Sequence, residues 1–218
     1  MITVVNYGAG NLRSVANALE KLGAAYEITQ EPAAVEAARA VILPGVGHFG
    51  QMMDALGRLG LREALVRKAR SGAPFLGICL GLQALFEASE EAPEQKGLGL
   101  FPGAVRRFGP GQRCPHMGWN TVRRVKPSRL LEGAPEPAWF YFAHSYYCPP
   151  GPHAAALCGY GAEFCAALEQ DNVFGVQFHP EKSGPEGLAV MRRFVLAAGG
   201  RAGVRIEEDA GAAHHPLS

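Results

Sequence analysis

The stretch Phe75-Leu76-Gly77-Ile78-Cys79-Leu80-Gly81 joins an apolar run to a Gly-x-Cys-x-Gly motif. Residues 75–78 predict a buried strand, and residues 80–88 predict the helix that follows it. Glycines two positions before and after Cys79 are typical of a nucleophile elbow, a turn so tight that side chains there would collide. Such a turn holds the sulfur at the start of a helix, where backbone N–H groups and the helix dipole favour a thiolate. Taken alone, the pentapeptide fits equally well a buried cysteine between glycines that pack a strand against a helix.

Strand and helix patterns alternate in the first half of the chain. Strands are predicted at residues 2–6, 26–29 and 40–43, and helices at residues 12–22, 49–58 and 61–70. This order predicts an α/β fold, a mainly parallel sheet with helices on both faces, whose ligand site lies at the carboxyl ends of the strands.

The second half of the chain has a different composition. Residues 97–165 are rich in Gly, Pro and aromatic residues. Short apolar runs at residues 104–108, 139–142 and 165–169 predict antiparallel strands that extend the sheet, and residues 173–178 and 187–198 predict the last strand and helix. We expect one domain over residues 1–199. Residues 200–218 lack an apolar period and predict a disordered tail.

Bulk composition excludes several classes of protein. The chain has 218 residues, 48% apolar and 19% charged, with a net charge of +1, which offers no electrostatic footprint for nucleic acid or an anionic membrane. No apolar run approaches the ~18 residues of a membrane-spanning helix, and the N-terminus lacks the features of a signal peptide, so we expect a cytoplasmic protein. The cysteines number 5 and include no Cys-x-x-Cys pair, which argues against a disulfide framework or a structural zinc site. No metal and no cofactor are predicted.

A candidate base for Cys79 follows the predicted strand 173–178. His179 lies at the carboxyl end of that strand, the sheet edge where Cys79 is expected, and can take the thiol proton. Pro180 is expected to hold the connection extended, so that Glu181 lies on the same side as His179 and accepts from its second ring nitrogen. A His-x-Glu segment alone also fits a surface turn. Together with the elbow, it predicts acyl transfer at a carbonyl through a thioester.

Acyl transfer also needs hydrogen-bond donors for the oxyanion. The loop Pro44-Gly45-Val46-Gly47 can supply the Val46 N–H, and the N–H of Leu80 is the natural second donor. The same loop matches the Gly-x-Gly-x-x-Gly dinucleotide fingerprint from Gly45 to Gly50. The acidic residue that a dinucleotide site needs roughly 20 positions later is absent, which argues against nucleotide binding.

With these residues assembled, the chain resembles the class I, triad-type glutamine amidotransferases over about residues 1–198. Among them it is most similar to the glutaminase subunits of imidazole glycerol phosphate synthases, enzymes of histidine biosynthesis. The matching stretches are residues 6–12, 44–49, 77–83, 115–120, 141–146 and 177–183. The elbow and the His-Pro-Glu segment are shared by the class, whereas residues 115–120 (Pro-His-Met-Gly-Trp-Asn) and 144–146 (His-Ser-Tyr) are typical of the narrower family.

The resemblance implies a flavodoxin-like, three-layer α/β/α domain that hydrolyses L-glutamine to glutamate through a thioester on Cys79. It implies a heterodimer with a (β/α)8-barrel cyclase, to which ammonia passes to make imidazole glycerol phosphate and AICAR ribotide. It further implies that cyclase substrate stimulates hydrolysis through the loop at Val46. The residues implied to hold glutamine are Gly47, Gln83, His144, Ser145 and Tyr146. The residues implied at the cyclase interface or the ammonia passage are Trp119, Asn120, Tyr141 and Lys182.

Three alternatives remain on the sequence. The first is the glutaminase component of another amidotransferase, against which residues 115–120 argue. The second is a stand-alone cysteine peptidase or γ-glutamyl hydrolase, which needs an open groove for a larger substrate. The third is a non-catalytic binding module, which an intact Cys79, His179 and Glu181 disfavour.

Overall fold

The computed structural model describes residues 1–200, so the predicted tail lies outside the described residues apart from Gly200. The strands in this part of the chain are β1 (Ile2–Val5), β2 (Tyr26–Thr29), β3 (Ala40–Gly45), β4 (Phe75–Cys79), β5 (Phe86–Ser89), β6 (Phe101–Arg107), β7 (His116–Arg124), β8 (Ala138–His144), β9 (Tyr146–Tyr147), β10 (Ala154–Tyr160), β11 (Ala162–Gln170) and β12 (Val173–Val176). The helices are α1 (Leu12–Lys21), α2 (Pro32–Ala37), α3 (Phe49–Arg58), α4 (Leu61–Arg70), α5 (Leu80–Gln83) and α6 (Gly184–Ala197), with a 3-10 turn at Pro180–Lys182.

The main sheet has a parallel half and an antiparallel half. Its order within residues 1–200 is β2-β1-β3-β4-β12-β11-β10-β7-β8. The first five strands run parallel in the 2-1-3-4-5 order of flavodoxin-like folds, and β11, β10, β7 and β8 add antiparallel neighbours. Strands β1, β3, β4 and β12 are buried along their whole length, because helices cover both faces. The predicted fold class is therefore confirmed.

Alternate residues of the central strands supply two cores, one on each face of the sheet. Leu76 and Ile78 of β4 face the core that holds α1 and α6, whereas Phe75 faces the core that holds α2, α3 and α4. This three-layer packing fixes the carboxyl ends of β3, β4 and β12 at one edge of the sheet. None of the helices within residues 1–200 is long and apolar enough to cross a bilayer.

The prediction of a helix over residues 80–88 is wrong beyond its first turn. Helix α5 ends at Gln83, and β5 pairs in parallel with β6 to form a second sheet with β9. The Glu87 carboxylate accepts from the Gly103 N–H (2.9 Å), and the Glu87 carbonyl accepts from the Gly97 N–H (2.9 Å). These long-range bonds override the local helix preference. Residues 104–108, predicted to extend the main sheet, accordingly belong mostly to β6 in this second sheet.

Candidate active site

Cys79 occupies a strained backbone position between β4 and α5. Its φ of 54° and ψ of −109° lie outside the regions that non-glycine residues favour. A Cβ on Gly77 would lie 2.6 Å from the Gly81 carbonyl oxygen, and a Cβ on Gly81 would lie 1.8 Å from the Leu43 carbonyl oxygen. The predicted elbow is therefore confirmed, and both glycines are sterically required. Helix α5 has only 4 residues, so in place of the helix dipole expected at Cys79 there are only the N–H groups of a single turn.

His179 and Glu181 form a buried pair at the end of β12. The His179 Nδ1 and Glu181 Oε1 atoms are 2.8 Å apart, and the two side chains are 3% and 1% exposed. The connection differs from the expected extended segment, because Pro180–Lys182 forms a 3-10 turn. Ser183 secures this turn: its Oγ donates to the His179 carbonyl (2.6 Å) and accepts from the Tyr141 N–H of β8 (2.9 Å). The sequence analysis did not identify this role of Ser183.

The electrostatics of the pair favour a protonated imidazole beside the sulfur. Burial on its own lowers the pKa of His179, but the charge of the Cys79 thiolate, its hydrogen bond and the Glu181 carboxylate together raise the pKa to about 10. The raised pKa of His179 favours an imidazolium beside Cys79, and a neighbouring imidazolium is the partner that activates a cysteine nucleophile.

One cavity of about 280 Å³ is lined by ten of the fourteen predicted site residues, and those outside its lining are Glu181, Trp119, Asn120 and Tyr141. Cys79 and His179 line it together with the predicted oxyanion residues Val46 and Leu80. Its other predicted lining residues are Gly47, Gln83, His144, Ser145, Tyr146 and Lys182. The loop that matched the dinucleotide fingerprint thus opens into the same cavity as Cys79. This volume is at the small end for ligand cavities and suits a free amino acid.

Comparison with known protein families agrees with this geometry. Residues 3–198 match the family model described as glutamine amidotransferase class-I. The chain belongs to this family. A relative from Desulfitobacterium hafniense, named imidazole glycerol phosphate synthase subunit HisH, is 49% identical over 217 residues, or 99% of each chain. A HisH subunit from Methanothermobacter thermautotrophicus is 53% identical over 196 residues, covering 89% of this chain and 98% of the relative.

A third relative and the solved structures extend the comparison. The Arabidopsis thaliana protein named imidazole glycerol phosphate synthase hisHF, chloroplastic, is 45% identical over 201 residues, which are 89% of this chain but 34% of that protein. A crystal structure of a glutamine amidotransferase covers 91% of this chain and 100% of its own with a TM-score of 0.72 at 22% identity. At that identity the structural likeness supports the fold alone. The relatives confirm the predicted similarity to glutaminase subunits of imidazole glycerol phosphate synthase.

The Tyr7 hydroxyl engages the Val46 amide in this amidotransferase, a contact that no sequence pattern predicted. The Val46 N–H donates to the Tyr7 hydroxyl oxygen (3.3 Å), and the hydroxyl donates back to the Val46 carbonyl (3.4 Å). Burial, only partly offset by this bond, raises the pKa of Tyr7 to about 12, so the phenol stays neutral. The predicted oxyanion donor is thus engaged by a side chain of the strand-end segment that follows β1.

The outer face of β7 and β8 carries an exposed apolar row, which we define as Met117, Trp119, Trp139 and Tyr141. Met117, Trp119 and Trp139 are 64%, 54% and 55% exposed, and Trp119 lies opposite Tyr141 in the strand register. Because Met117 also lines the cavity, the apolar row begins at the mouth of the active site. Such a patch is typical of a protein interface. Asn120, grouped with Trp119 by the sequence prediction, instead directs its amide inward, to His116 (3.2 Å) and the Gly159 carbonyl (3.1 Å).

Proposed function

We propose that this chain is the glutamine-hydrolysing subunit of an imidazole glycerol phosphate synthase and that Cys79, His179 and Glu181 form its catalytic triad. The observation that carries the proposal is the buried His179–Glu181 pair, whose His179 lines one cavity with the strained Cys79 in a chain of the class-I amidotransferase family. Cys79 is the nucleophile, His179 the general base and acid, and Glu181 the group that orients His179.

The reaction then proceeds in two halves. The Cys79 sulfur attacks the side-chain carbonyl carbon of glutamine, and the oxyanion that forms is stabilised by the N–H groups of Val46 and Leu80. His179 donates its proton to the departing nitrogen, which leaves as ammonia and yields a thioester. Water, deprotonated by His179, attacks the thioester, and glutamate leaves as the thiolate is restored. The Val46 N–H serves in this role only after it leaves the Tyr7 hydroxyl.

The polar wall of the cavity can hold the rest of the substrate. Both N–H bonds of the Gln83 amide are occupied, by the Tyr146 carbonyl (2.8 Å) and by Gln177 (3.1 Å). Its carbonyl oxygen is therefore the atom that can accept from a substrate N–H group. Gly47, Ser145 and Tyr146 line the same wall and are proposed to contact the amino-acid end of glutamine.

We further propose that a (β/α)8-barrel cyclase seats on the apolar row and receives ammonia directly from the cavity. The two exposed tryptophans of the apolar row are proposed as interface anchors, because exposed aromatic side chains of this kind dominate the binding energy of protein interfaces. Lys182 lines the cavity, and Tyr141 lies two residues before Ala143, which also lines it, so both are proposed to border the ammonia passage. The Arabidopsis relative supports a two-part enzyme, because 34% of that protein matches this chain and the remainder is free to supply the second activity.

The triad is tested by glutaminase assays on Cys79→Ala in the presence of cyclase and its nucleotide substrate. We expect hydrolysis to fall by at least roughly 10³-fold, because no other group can form the thioester. Cys158→Ala is the matched control, since Cys158 is also a buried free cysteine but lies on β10. Glutamine hydrolysis by Cys79→Ala at the rate of the control would refute the assignment.

The partner is tested by the rate of glutamine hydrolysis with and without the cyclase. We expect weak activity of the chain alone and strong stimulation by cyclase with its ligand. A high rate without a partner would contradict a coupled subunit, and stimulation by a different synthase would favour another amidotransferase.

Turnover of γ-glutamyl peptides but not glutamine would favour the stand-alone hydrolase. A glutamine-analogue label that fails to reach Cys79 even with partner present would favour a binding module.

A further inference from the structure

A hydrogen-bond chain of fixed polarity reaches the nucleophile from inside the protein. His144 Nδ1 and Gln83 Nε2 both lie 2.8 Å from the Tyr146 carbonyl oxygen. A carbonyl oxygen only accepts, so the nitrogen of the Gln83 amide must face it. The second N–H of Gln83 then points at Gln177 Oε1, 3.1 Å away.

These constraints fix the orientation of the Gln177 amide. Since its oxygen accepts from Gln83, its nitrogen faces Cys79, and Nε2 lies 3.6 Å from Sγ. On the other side of the Tyr146 carbonyl, Asn120 donates to His116 and His116 donates to His144 (3.0 Å), which leaves the His144 proton on Nδ1 to donate to that carbonyl. The orientation of the Gln177 amide is therefore fixed by the hydrogen bonds of its neighbours.

Gln177 is placed to act on the sulfur and has no access to water. Its exposure is 0%, and its backbone N–H is held by the Ala166 carbonyl (2.9 Å). It precedes His179 by two positions, so both side chains project to the same side of the chain, toward Cys79. A buried amide donor is costly when it lacks an acceptor, and an anionic sulfur is a better acceptor than a thiol.

We propose that Gln177 is a further catalytic residue, whose side-chain amide donates to Cys79 Sγ and stabilises the thiolate. The proposal rests on the proposed function of Cys79 as nucleophile. The amide holds the sulfur in place for attack on glutamine. When the thioester is hydrolysed, the same N–H stabilises the thiolate as it leaves the acyl carbon. His179 moves protons to and from the reacting groups, while Gln177 provides a fixed donor to the sulfur.

The direct test is the pH dependence of Cys79 alkylation by iodoacetamide in Gln177→Met and Gln177→Glu. Modification of Cys79 is followed by peptide mass spectrometry, because Cys114 is exposed and would also react. We expect the alkylation profile of both variants to move to higher pH by about one unit or more, and kcat to fall roughly tenfold to hundredfold, the usual range for a lost hydrogen bond to a charged group. KM for glutamine should stay within about threefold, because the lost contact is to the sulfur and not to bound substrate.

Gln170→Glu is the matched control, because Gln170 is exposed at the far end of β11, on the opposite edge of the sheet from Cys79. Circular dichroism and thermal unfolding establish that each variant is folded. If Gln177→Met does not fold, Gln177→Glu serves in its place, because glutamate keeps the size of the glutamine side chain and the oxygen that accepts from Gln83. An alkylation profile that superimposes on that of the control would overturn the proposal, whatever happens to kcat, because a purely structural role would leave the thiolate unaffected. Alkylation of Cys79 needs no glutamine turnover, so it still reports on Gln177 if the chain has no glutaminase activity. Failure of this inference can therefore be distinguished from failure of the proposed function.

Discussion

Replacement of Gly81 by alanine tests the elbow most severely. A Cβ at this position would lie 1.8 Å from the Leu43 carbonyl oxygen and 2.9 Å from the Leu43 carbonyl carbon, whereas ordinary contacts of a Cβ lie at 3.4–4 Å. Both obstructing atoms belong to the backbone of β3, which pairs in register with β4 at Gly77. No side-chain rotation can relieve the overlap, so α5 must move away from β3 by more than an ångström.

The free-energy cost follows from that displacement. Overpacking of a core by flexible side chains typically costs about 1–3 kcal/mol, and here the clash is with a hydrogen-bonded backbone. We therefore expect Gly81→Ala to lower the free energy of unfolding by at least about 3 kcal/mol, a large part of the ~5–15 kcal/mol of a typical domain. For a chain of this length the corresponding fall in Tm is about 6–12 °C. Glutaminase activity should be lost as well, because the displaced turn carries Cys79 and the Leu80 N–H.

Urea and thermal unfolding followed by circular dichroism measure the effect, with Gly159→Ala as control. A Cβ on Gly159 meets nothing within 4 Å, and its φ lies outside the left-handed region, so its cost should be within about 0.5 kcal/mol. A Gly81→Ala variant that keeps its glutaminase activity and loses less than about 1 kcal/mol would refute the steric explanation of the elbow.

Two further predictions concern pH and the oxyanion loop. Burial lowers the pKa of His144 to about 3, so below the unfolded value near 6.5 only the unfolded chain binds a proton there, and stability falls as pH falls toward 3. Urea unfolding should therefore show that the free energy of unfolding of the wild type falls between pH 6.5 and pH 5. In His144→Gln this fall should be smaller by up to about 2 kcal/mol, and equal falls in the two proteins would contradict the assignment of the effect to His144. Tyr7→Phe removes the hydroxyl that engages the Val46 N–H, so the glutaminase rate of the chain alone should rise about fivefold, the equivalent of one hydrogen bond, while the stimulation by cyclase falls. A basal rate equal to that of the wild type would count against Tyr7 as the group that holds the loop.

The sequence predicted the features that depend on neighbouring residues. The glycines at 77 and 81 are required by the steric limits of one tight turn, so the Gly-x-Cys-x-Gly spacing is enough to predict the elbow. Continuous apolar runs likewise indicate strands buried on both faces, and these placed the carboxyl ends of β3, β4 and β12 at one edge. The candidate nucleophile, the base and the loop at Val46 were all predictable on that basis.

The tertiary structure decided the features that depend on residues distant in the chain. Residues 86–89 form a strand because β6 is there to pair with them, although their local pattern continues a helix. The donor to the Cys79 sulfur comes from Gln177, 98 positions away, and the Val46 amide is held by Tyr7, 39 positions away. Hydrogen bonds of this kind leave no periodic pattern in the sequence, because the packing of whole helices and strands brings the two atoms together. The sequence by itself therefore determined which residues are proposed to carry the chemistry, and only the tertiary structure determined which groups contact the Cys79 sulfur and the loop at Val46.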